Sequence, residues 1–258
     1  MERLIAGAKR LGLSLTAQQV GKFEVYYEEL IRWNKRVNLT AIVDYEEVQA
    51  KHFLDSLTIA LALKDMPPSF RLLDVGSGAG VPGVPLKIIF SNISLTLLDS
   101  VRKKTDFLDH LVARLDLEGV EILTGRAEDL AREGRYREQF DLVLSRGVAP
   151  LPTLVELALP FCTLGGSFIA QKKGEIEREV EEAMGAIHIL GGRLREVKRI
   201  ELAPIGSGEE RSLVIIDKLI ATPNRYPRRA GIPQKRPLIA SKQKGHRKAE
   251  RPAIDRSK

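Results

Sequence analysis

LLDVGSGAGVPG, residues 72–83, sets glycines at positions 76, 78, 80 and 83 directly behind an apolar run that carries Asp74. A glycine-rich turn after a first strand lets backbone approach a nucleotide, and in such folds the ligand lies at the carboxyl ends of the strands. A dinucleotide fingerprint starting at Gly76 requires glycine at position 81, where this chain has Val81. The spacing is instead D-x-G-x-G-x-G, through Asp74, Gly76, Gly78 and Gly80.

Downstream of this loop, short β-branched and leucine-rich runs alternate with helical segments, the pattern of βαβ units and a mainly parallel sheet. Strands are predicted at 71–75, 94–98, 120–123, 140–144, 167–171, 194–202 and 212–218. The last two are joined only by a short stretch rich in Gly and Pro, too short for a helical crossover, so the seventh strand is expected antiparallel to the sixth. A seven-stranded, mainly parallel sheet with an antiparallel last strand is the methyltransferase variant of the doubly wound, Rossmann-like α/β fold. Upstream, Thr16 with Gln19 and Asp44 with Glu47 read as capping boxes ahead of apolar residues at helical spacing. Residues 1–66 are therefore a helical N-terminal lead-in, 67–222 the catalytic domain and 223–258 a C-terminal tail.

The chain has 258 residues, one of them cysteine, and a net charge of +7. A lone cysteine excludes a disulfide framework and a cysteine-rich zinc site, and fits a reducing compartment. No signal sequence or apolar run of about 18 residues is visible, so a cytoplasmic protein without membrane or metal is expected. From Arg225 to Lys258 twelve Lys/Arg face two acids, whereas the rest of the chain has 29 basic and 32 acidic residues. The basic excess is confined to the tail, whose first half is free to dock and whose last fifteen or so residues read as disordered. Such a tail predicts salt-dependent RNA binding, and truncation after Thr222 is expected to weaken it while leaving the cofactor site intact.

The glycine spacing suits S-adenosyl-L-methionine, which has no pyrophosphate to cradle and offers an amino-acid moiety to backbone and polar groups. Asp99, at the end of the second strand, is placed to accept from both ribose hydroxyls, and Arg126-Ala127-Glu128-Asp129, after the third, to pair with adenine. The methyl acceptor is narrowed by what is missing. Pyrimidine C5 needs a cysteine nucleophile, and Cys162 lies in LALPFCTL, where a buried core thiol is expected. The position of an Asn/Asp-Pro-Pro-aromatic turn for exocyclic amines reads Ser145-Arg146-Gly147-Val148-Ala149-Pro150. A ring nitrogen such as guanine N7 carries an in-plane lone pair and no proton, so alignment without a general base suffices. Two rivals stay open: an NAD-dependent oxidoreductase on a Rossmann fold, and a non-catalytic ribosome- or RNA-binding protein.

The segments WNKRVNLTAI, HFLDSL, LLDVGSGAGVPGVPLKI, LLDSVRKKTDFL, GRAED, FDLVLSRGVAPL and RYPRRAGIPQKRPL, in that order, resemble the RsmG (GidB) family of small-subunit ribosomal RNA methyltransferases. The resemblance implies methyl transfer to N7 of one guanosine in 16S rRNA, nucleotide 527 in the usual rRNA numbering, with free 16S rRNA or the 30S subunit as partner; separately, a monomer is expected. It implies cofactor contacts at Gly76, Val81, Ala127, Glu128 and Arg146, alongside Gly78, Gly80 and Asp99. Val81 is smaller than the family's usual Leu or Phe, and Gly147 stands for its usual Ala.

Arg146, behind the fourth strand, suits a cofactor carboxylate, guanine O6 or a phosphate. Asn38, His52 and Asp55 are expected at the mouth of the active site as positioning groups, without a general-base role for His52. Arg102, Lys103 and Lys104 open a helix against its dipole, which points to an RNA phosphate. Lys172 and Lys173, behind the fifth strand, and Arg225, Arg228, Arg229, Lys235 and Arg236 in the tail complete the expected RNA contacts. Trp33 is expected to anchor the lead-in helix, with base stacking as the alternative.

Overall fold

In the computed structural model, residues 1–63, 66–200 and 210–239 are described. The lead-in comprises α1 (Glu2–Arg10), α2 (Ala17–Val37) and a composite helix made of α3 (Tyr45–Val48), a π-helical turn (Gln49–Leu54), α4 (Asp55–Leu57) and a 3-10 turn (Thr58–Ala62). Thr16 caps α2 through the reciprocal box expected from its pairing with Gln19, and Asp44 Oδ1 accepts from the amides of Glu46 and Glu47. The π-helical turn is the departure from the expected regular helix. Such widened turns occur often at functional sites, and this one carries His52.

The alternating units follow: β1 (Arg71–Val75), α5 (Gly83–Ile89), β2 (Ser94–Asp99), α6 (Arg102–Arg114), β3 (Val120–Thr124), α7 (Ala127–Leu130), β4 (Phe140–Arg146), α8 (Leu151–Ala158), β5 (Cys162–Lys173), α9 (Glu177–Ile189), β6 (Gly192–Ile200) and β7 (Arg211–Lys218), with a short α10 (Ile232–Lys235) behind them. The sheet order is β3-β2-β1-β4-β5-β7-β6. β7 runs antiparallel to both β5 and β6, while β1 to β5 pair in parallel. Every predicted strand is present. The fifth is longer than expected because it begins at Cys162, pairing with Phe140 across a register shift. The end of the sixth strand prediction, 201–202, lies outside the described residues.

Alternation along the strands divides the interior in two. Leu72, Leu95, Leu97, Leu142, Leu144, Ile169, Leu213 and Ile215 face the lead-in helices, α5 and α6. Leu73, Val75, Leu98, Val143, Phe168, Ala170, Val214 and Ile216 face α8 and α9. Phe23, Tyr26 and Phe53 are fully buried, and the Phe53 ring lies 5.0 Å, centroid to centroid, from each of the other two. The lead-in thus packs into one of the two halves of the core, and Phe53→Ala would cost about 3–5 kcal/mol.

The first half of the tail docks on the domain, as its Pro- and Gly-rich sequence allows. Arg228 forms a bidentate pair with the fully buried Glu156 (Nη2 to Oε2 2.6 Å), and the Gly231 amide donates to Glu128 Oε1 at 2.8 Å. Arg137 donates to the carbonyls of Tyr226 and Thr222. Two predictions change as a result. Arg228 is a docking residue rather than a free phosphate contact, and truncation after Thr222 would strip the partners of Glu128 and Glu156 along with the basic charge. Residues 240–258, which include the last fifteen or so expected to be disordered, lie outside the described residues.

Candidate functional site

A cavity of about 710 Å³ opens at the carboxyl ends of β1, β2, β4 and β5, within the range typical of cofactor sites. One wall is the glycine loop. Gly76, Gly78 and Gly80 all adopt positive φ (76°, 57° and 90°), which glycine enters without a Cβ penalty. A Cβ at Gly76 would lie 2.3 Å from Val148 Cγ2, and one at Gly80 2.8 Å from the Tyr26 hydroxyl. That hydroxyl donates to the Ala79 carbonyl at 2.6 Å, so α2 props the loop from behind. Asp74 is fully buried: its Oδ2 accepts from the Gly83 amide at 2.9 Å, while Oδ1 has no partner. Burial pushes its carboxyl up to about 7, against the pull of the Gly83 N–H.

Asp99, at the end of β2, lines the cavity and is held by two amides, Gly78 N to Oδ2 at 3.0 Å and Val101 N to Oδ1 at 2.9 Å. Val81 and Ala127 also line it. Glu128 reaches the rim, where its carboxylate accepts from the Gly231 amide. The glycine cradle and the Asp99 carboxylate, both on the cavity wall, fit an adenosyl amino acid. No group of three or more metal-ligating side chains occurs among the described residues.

The opposite wall is a side-chain network centred on Asp55, which is 1% exposed. Arg146 Nη1 donates to Asp55 Oδ2 at 2.9 Å and to the Lys51 carbonyl at 3.2 Å. Arg211, 3% exposed, donates from Nε to Asp55 Oδ1 at 3.0 Å. Gln171 Nε2 donates to the Asp55 carbonyl at 2.6 Å. His52 Nδ1 lies 3.3 Å from Arg146 Nη2 and its Nε2 2.8 Å from Thr40 Oγ1. Because Nδ1 faces a guanidinium that can only donate, the ring takes the neutral tautomer with the proton on Nε2, donated to Thr40. Burial, reinforced by the Arg146 charge, lowers the His52 pKa to about 4. Both ring nitrogens are occupied within the protein.

His52, Asp55 and Arg146 therefore converge as expected, whereas Asn38 does not join them. Asn38 sits at the C-cap of α2 with φ 52° and is absent from the cavity wall. Asparagine tolerates that left-handed conformation better than most residues, and Leu39 and Thr40 enter the cavity in its place. The sequence does not single out Arg211 and Gln171. Gln171 shows there only as a polar residue in an otherwise apolar strand, and Arg211 lies just ahead of the predicted seventh strand, so neither stands out by periodicity.

The expected RNA contacts separate into exposed and engaged groups. Arg102 is exposed and pairs with Asp106 at 2.8 Å, and Lys103 is exposed on the first turn of α6. Lys104 turns toward the cavity, 3.9 Å from Asp99. Lys172 pairs with Glu179 at 2.7 Å and donates to the Ala149 carbonyl, while Lys173 stands exposed on the cavity rim. Arg225, Lys235 and Arg236 are exposed on the docked tail, and Arg229 lies beside them. Cys162 is buried and its thiol is pushed up to about 12 by that burial, as a core residue should be.

Strand order, glycine loop and the place of the cavity together define a Rossmann-like methyltransferase fold. Geranyl diphosphate C-methyltransferase from Streptomyces coelicolor A3(2), solved with S-adenosyl-L-homocysteine, shares that fold at a TM-score of 0.50 and 13% identity over 75% of this chain and 98% of that one. Residues 19–209 match the model of the family GidB, rRNA small subunit methyltransferase G. The chain is 51% identical over 93% of its length to the whole of ribosomal RNA small subunit methyltransferase G from Dehalococcoides mccartyi, and 48% identical over 93% to all of that from Roseiflexus castenholzii. The chain belongs to this family of small-subunit rRNA methyltransferases. No helix among the described residues is long and apolar enough to cross a membrane.

Proposed function

We propose that this protein transfers a methyl group from S-adenosyl-L-methionine to N7 of a single guanosine in 16S rRNA, acting as a monomer in the compartment that holds ribosomes. When bound, the cofactor supplies an electrophilic methyl group on a sulfonium. Gly76, Gly78 and Gly80 would admit its amino-acid end close to backbone, Asp99 would accept from the ribose hydroxyls, and the loop before α7 would meet the adenine.

The observation that carries the acceptor is the state of the groups around Arg146. His52 is neutral, with one nitrogen donating to Thr40 and the other facing Arg146. Asp55 is committed to two guanidinium groups. Neither is free to remove a proton, so the site suits an acceptor that has none to lose. Guanine N7 is such an acceptor, and Arg146, held in place from three sides, has donors left to orient O6. Rate enhancement would come from holding the lone pair in line with the methyl group. The target base must be unpaired or turned out of its stack for N7 to reach the cavity.

The test is to incubate the protein with methyl-labelled cofactor and unmodified 30S subunits or 16S rRNA, digest the RNA and identify the labelled nucleoside by mass spectrometry. Label in 7-methylguanosine at one position, nucleotide 527 by family resemblance, is the expected outcome. Label in another nucleoside overturns the acceptor, and no label despite measured cofactor binding overturns the activity.

A further inference from the structure

A second cavity, of about 330 Å³, opens where α2 packs on α6, walled by Arg32, Trp33, Arg36, Val37 and His110. Nothing in the methyl-transfer chemistry uses it. Trp33 leans on the buried Phe107 at a ring-centroid distance of 5.7 Å and on His110 at 5.2 Å. The indole is anchored on its inner side and forms part of the open wall. Arg32 and Arg36 stand one helical turn apart, where like charges repel. Within the same cluster Glu29, 5% exposed, is the carboxylate that pairs with Arg32, His110 and Arg114, the last at 3.3 Å. Three guanidinium groups against one buried carboxylate leave the pocket positive, while the Arg32 and Arg114 side chains remain 62% and 56% exposed.

The pocket lies on the same two elements, α2 and α6, whose ends border the larger cavity. Beyond Val37, the chain leaving α2 supplies Leu39 and Thr40 to that cavity, and Val101 and Lys104, where α6 begins, stand on its rim. Along α6, His110 lies roughly 9 Å from Lys104 at ~1.5 Å per residue. That is about the rise of three stacked nucleotides at ~3.4 Å each. Exposed Arg102 and Lys103 lie at the same end of α6 as Lys104.

We propose that this pocket is a second RNA subsite, which takes an unpaired nucleotide flanking the methylated base, with the base stacked on Trp33 and the phosphate on Arg32 and Arg36. The chemistry matches: aromatic faces stack on bases regardless of sequence, and guanidinium groups bind phosphate through paired N–H donors. The subsite rests on the rRNA methyltransferase reading and extends it to how the loop is held.

Trp33 is the single tryptophan of the chain, so intrinsic tryptophan fluorescence reports on this pocket alone. Titrating the full-length protein with unmodified 16S rRNA should quench it saturably. Arg36→Ala should move the midpoint upward by about threefold or more and flatten the plot of log affinity against log salt by about 0.7, the value for one phosphate of a single strand. With 30S subunits, KM should rise in step, while kcat changes by less than about twofold and affinity for S-adenosylhomocysteine is unchanged. Trp33→Phe, which keeps a π-face, should hold KM near wild type. Trp33→Leu should raise it by about fivefold or more, the loss of one base–aromatic stack. RNA binding without quenching, quenching by S-adenosylhomocysteine alone, or equal quenching by a polyglutamate of matched charge would overturn the subsite. Failure to bind RNA at all overturns both this and the rRNA reading, whereas binding with quenching but no methyl transfer sinks only the enzymatic one.

Discussion

The wall of the larger cavity behind β1 is made of backbone, and the wall around Arg146 is made of side chains from four separate segments. Behind β1, three glycines with positive φ and the loop amides on Asp74 and Asp99 shape the surface. Around Arg146, a single carboxylate from the lead-in joins a cation from β4, a cation from β7 and an amide from β5. A backbone wall is specified by which residues lack a Cβ, and it tolerates little change at those positions. A side-chain wall depends on every partner arriving together, so the loss of one member is felt by all.

The sharpest way to separate the walls is Asp55→Ala. It leaves Arg146 and the buried Arg211 without their shared counter-ion, which typically costs about 3–5 kcal/mol when a buried pair is broken on one side. Urea denaturation should show that loss, and Asp55→Asn, which can still accept hydrogen bonds, should lose less. Equal stability of wild type and Asp55→Ala would show that the network does not hold the lead-in to the sheet.

Acid and base should act on the two walls with opposite sign. His52 has a folded pKa of about 4, below the unfolded value near 6.5. Its stabilisation is full above about pH 6.5 and is lost as pH falls toward 4, a contribution of about 3 kcal/mol. Asp74, raised to about 7, behaves in reverse: its contribution is full below about pH 4 and is lost as pH rises through 7. Replacing His52 with Gln should remove the acid-side slope of a stability–pH profile, and Asp74→Asn should flatten the neutral side. A profile unchanged by both variants would deny the titrations assigned to the two walls.

Gly76→Ala probes the backbone wall at a smaller scale. The left-handed conformation costs about 1–2 kcal/mol with a Cβ, and Val148 must also move aside. Calorimetry with S-adenosylhomocysteine should show affinity reduced by about tenfold or more. Pairing it with Val148→Ala should recover part of that loss, as expected of residues that touch; purely additive losses would place the constraint elsewhere.

The smallest effect on stability is expected from removal of residues 240–258. This cut spares the docked segment that binds Glu128 and Glu156, so melting temperature and cofactor affinity should match wild type. It removes seven Lys/Arg, so the salt dependence of 16S rRNA binding should weaken by about 0.7 in slope for each phosphate those side chains neutralise. An unchanged salt slope would confine RNA binding to the folded surface.

Which of these features is legible in the chain follows from their range. The glycine loop, the capping box at Thr16, the seven strands and the antiparallel seventh strand are all local: spacing, φ preference and connection length decide them within a few residues. Even the neighbourhood of Arg146 is marked, because a residue behind the fourth strand of such a sheet must lie at its carboxyl edge. Asn38 shows where that kind of reading stops. Its proximity along the chain to Thr40 suggests the cavity, but helix termination keeps it off the cavity wall and gives the place to Leu39 and Thr40.

The sequence by itself determined the doubly wound sheet, the cradle after β1, the family and the concentration of basic charge at the C-terminus, since these depend on periodicity, on residues without a Cβ and on composition. Only the tertiary structure decided that Asp55 bridges Arg146 and Arg211, that His52 is held neutral on a π-helical turn, that Arg228 is consumed in docking the tail onto Glu156, and that Trp33 faces a basic pocket. Ion pairing and burial act through space between residues far apart in the chain, and a one-dimensional pattern carries no distance between them.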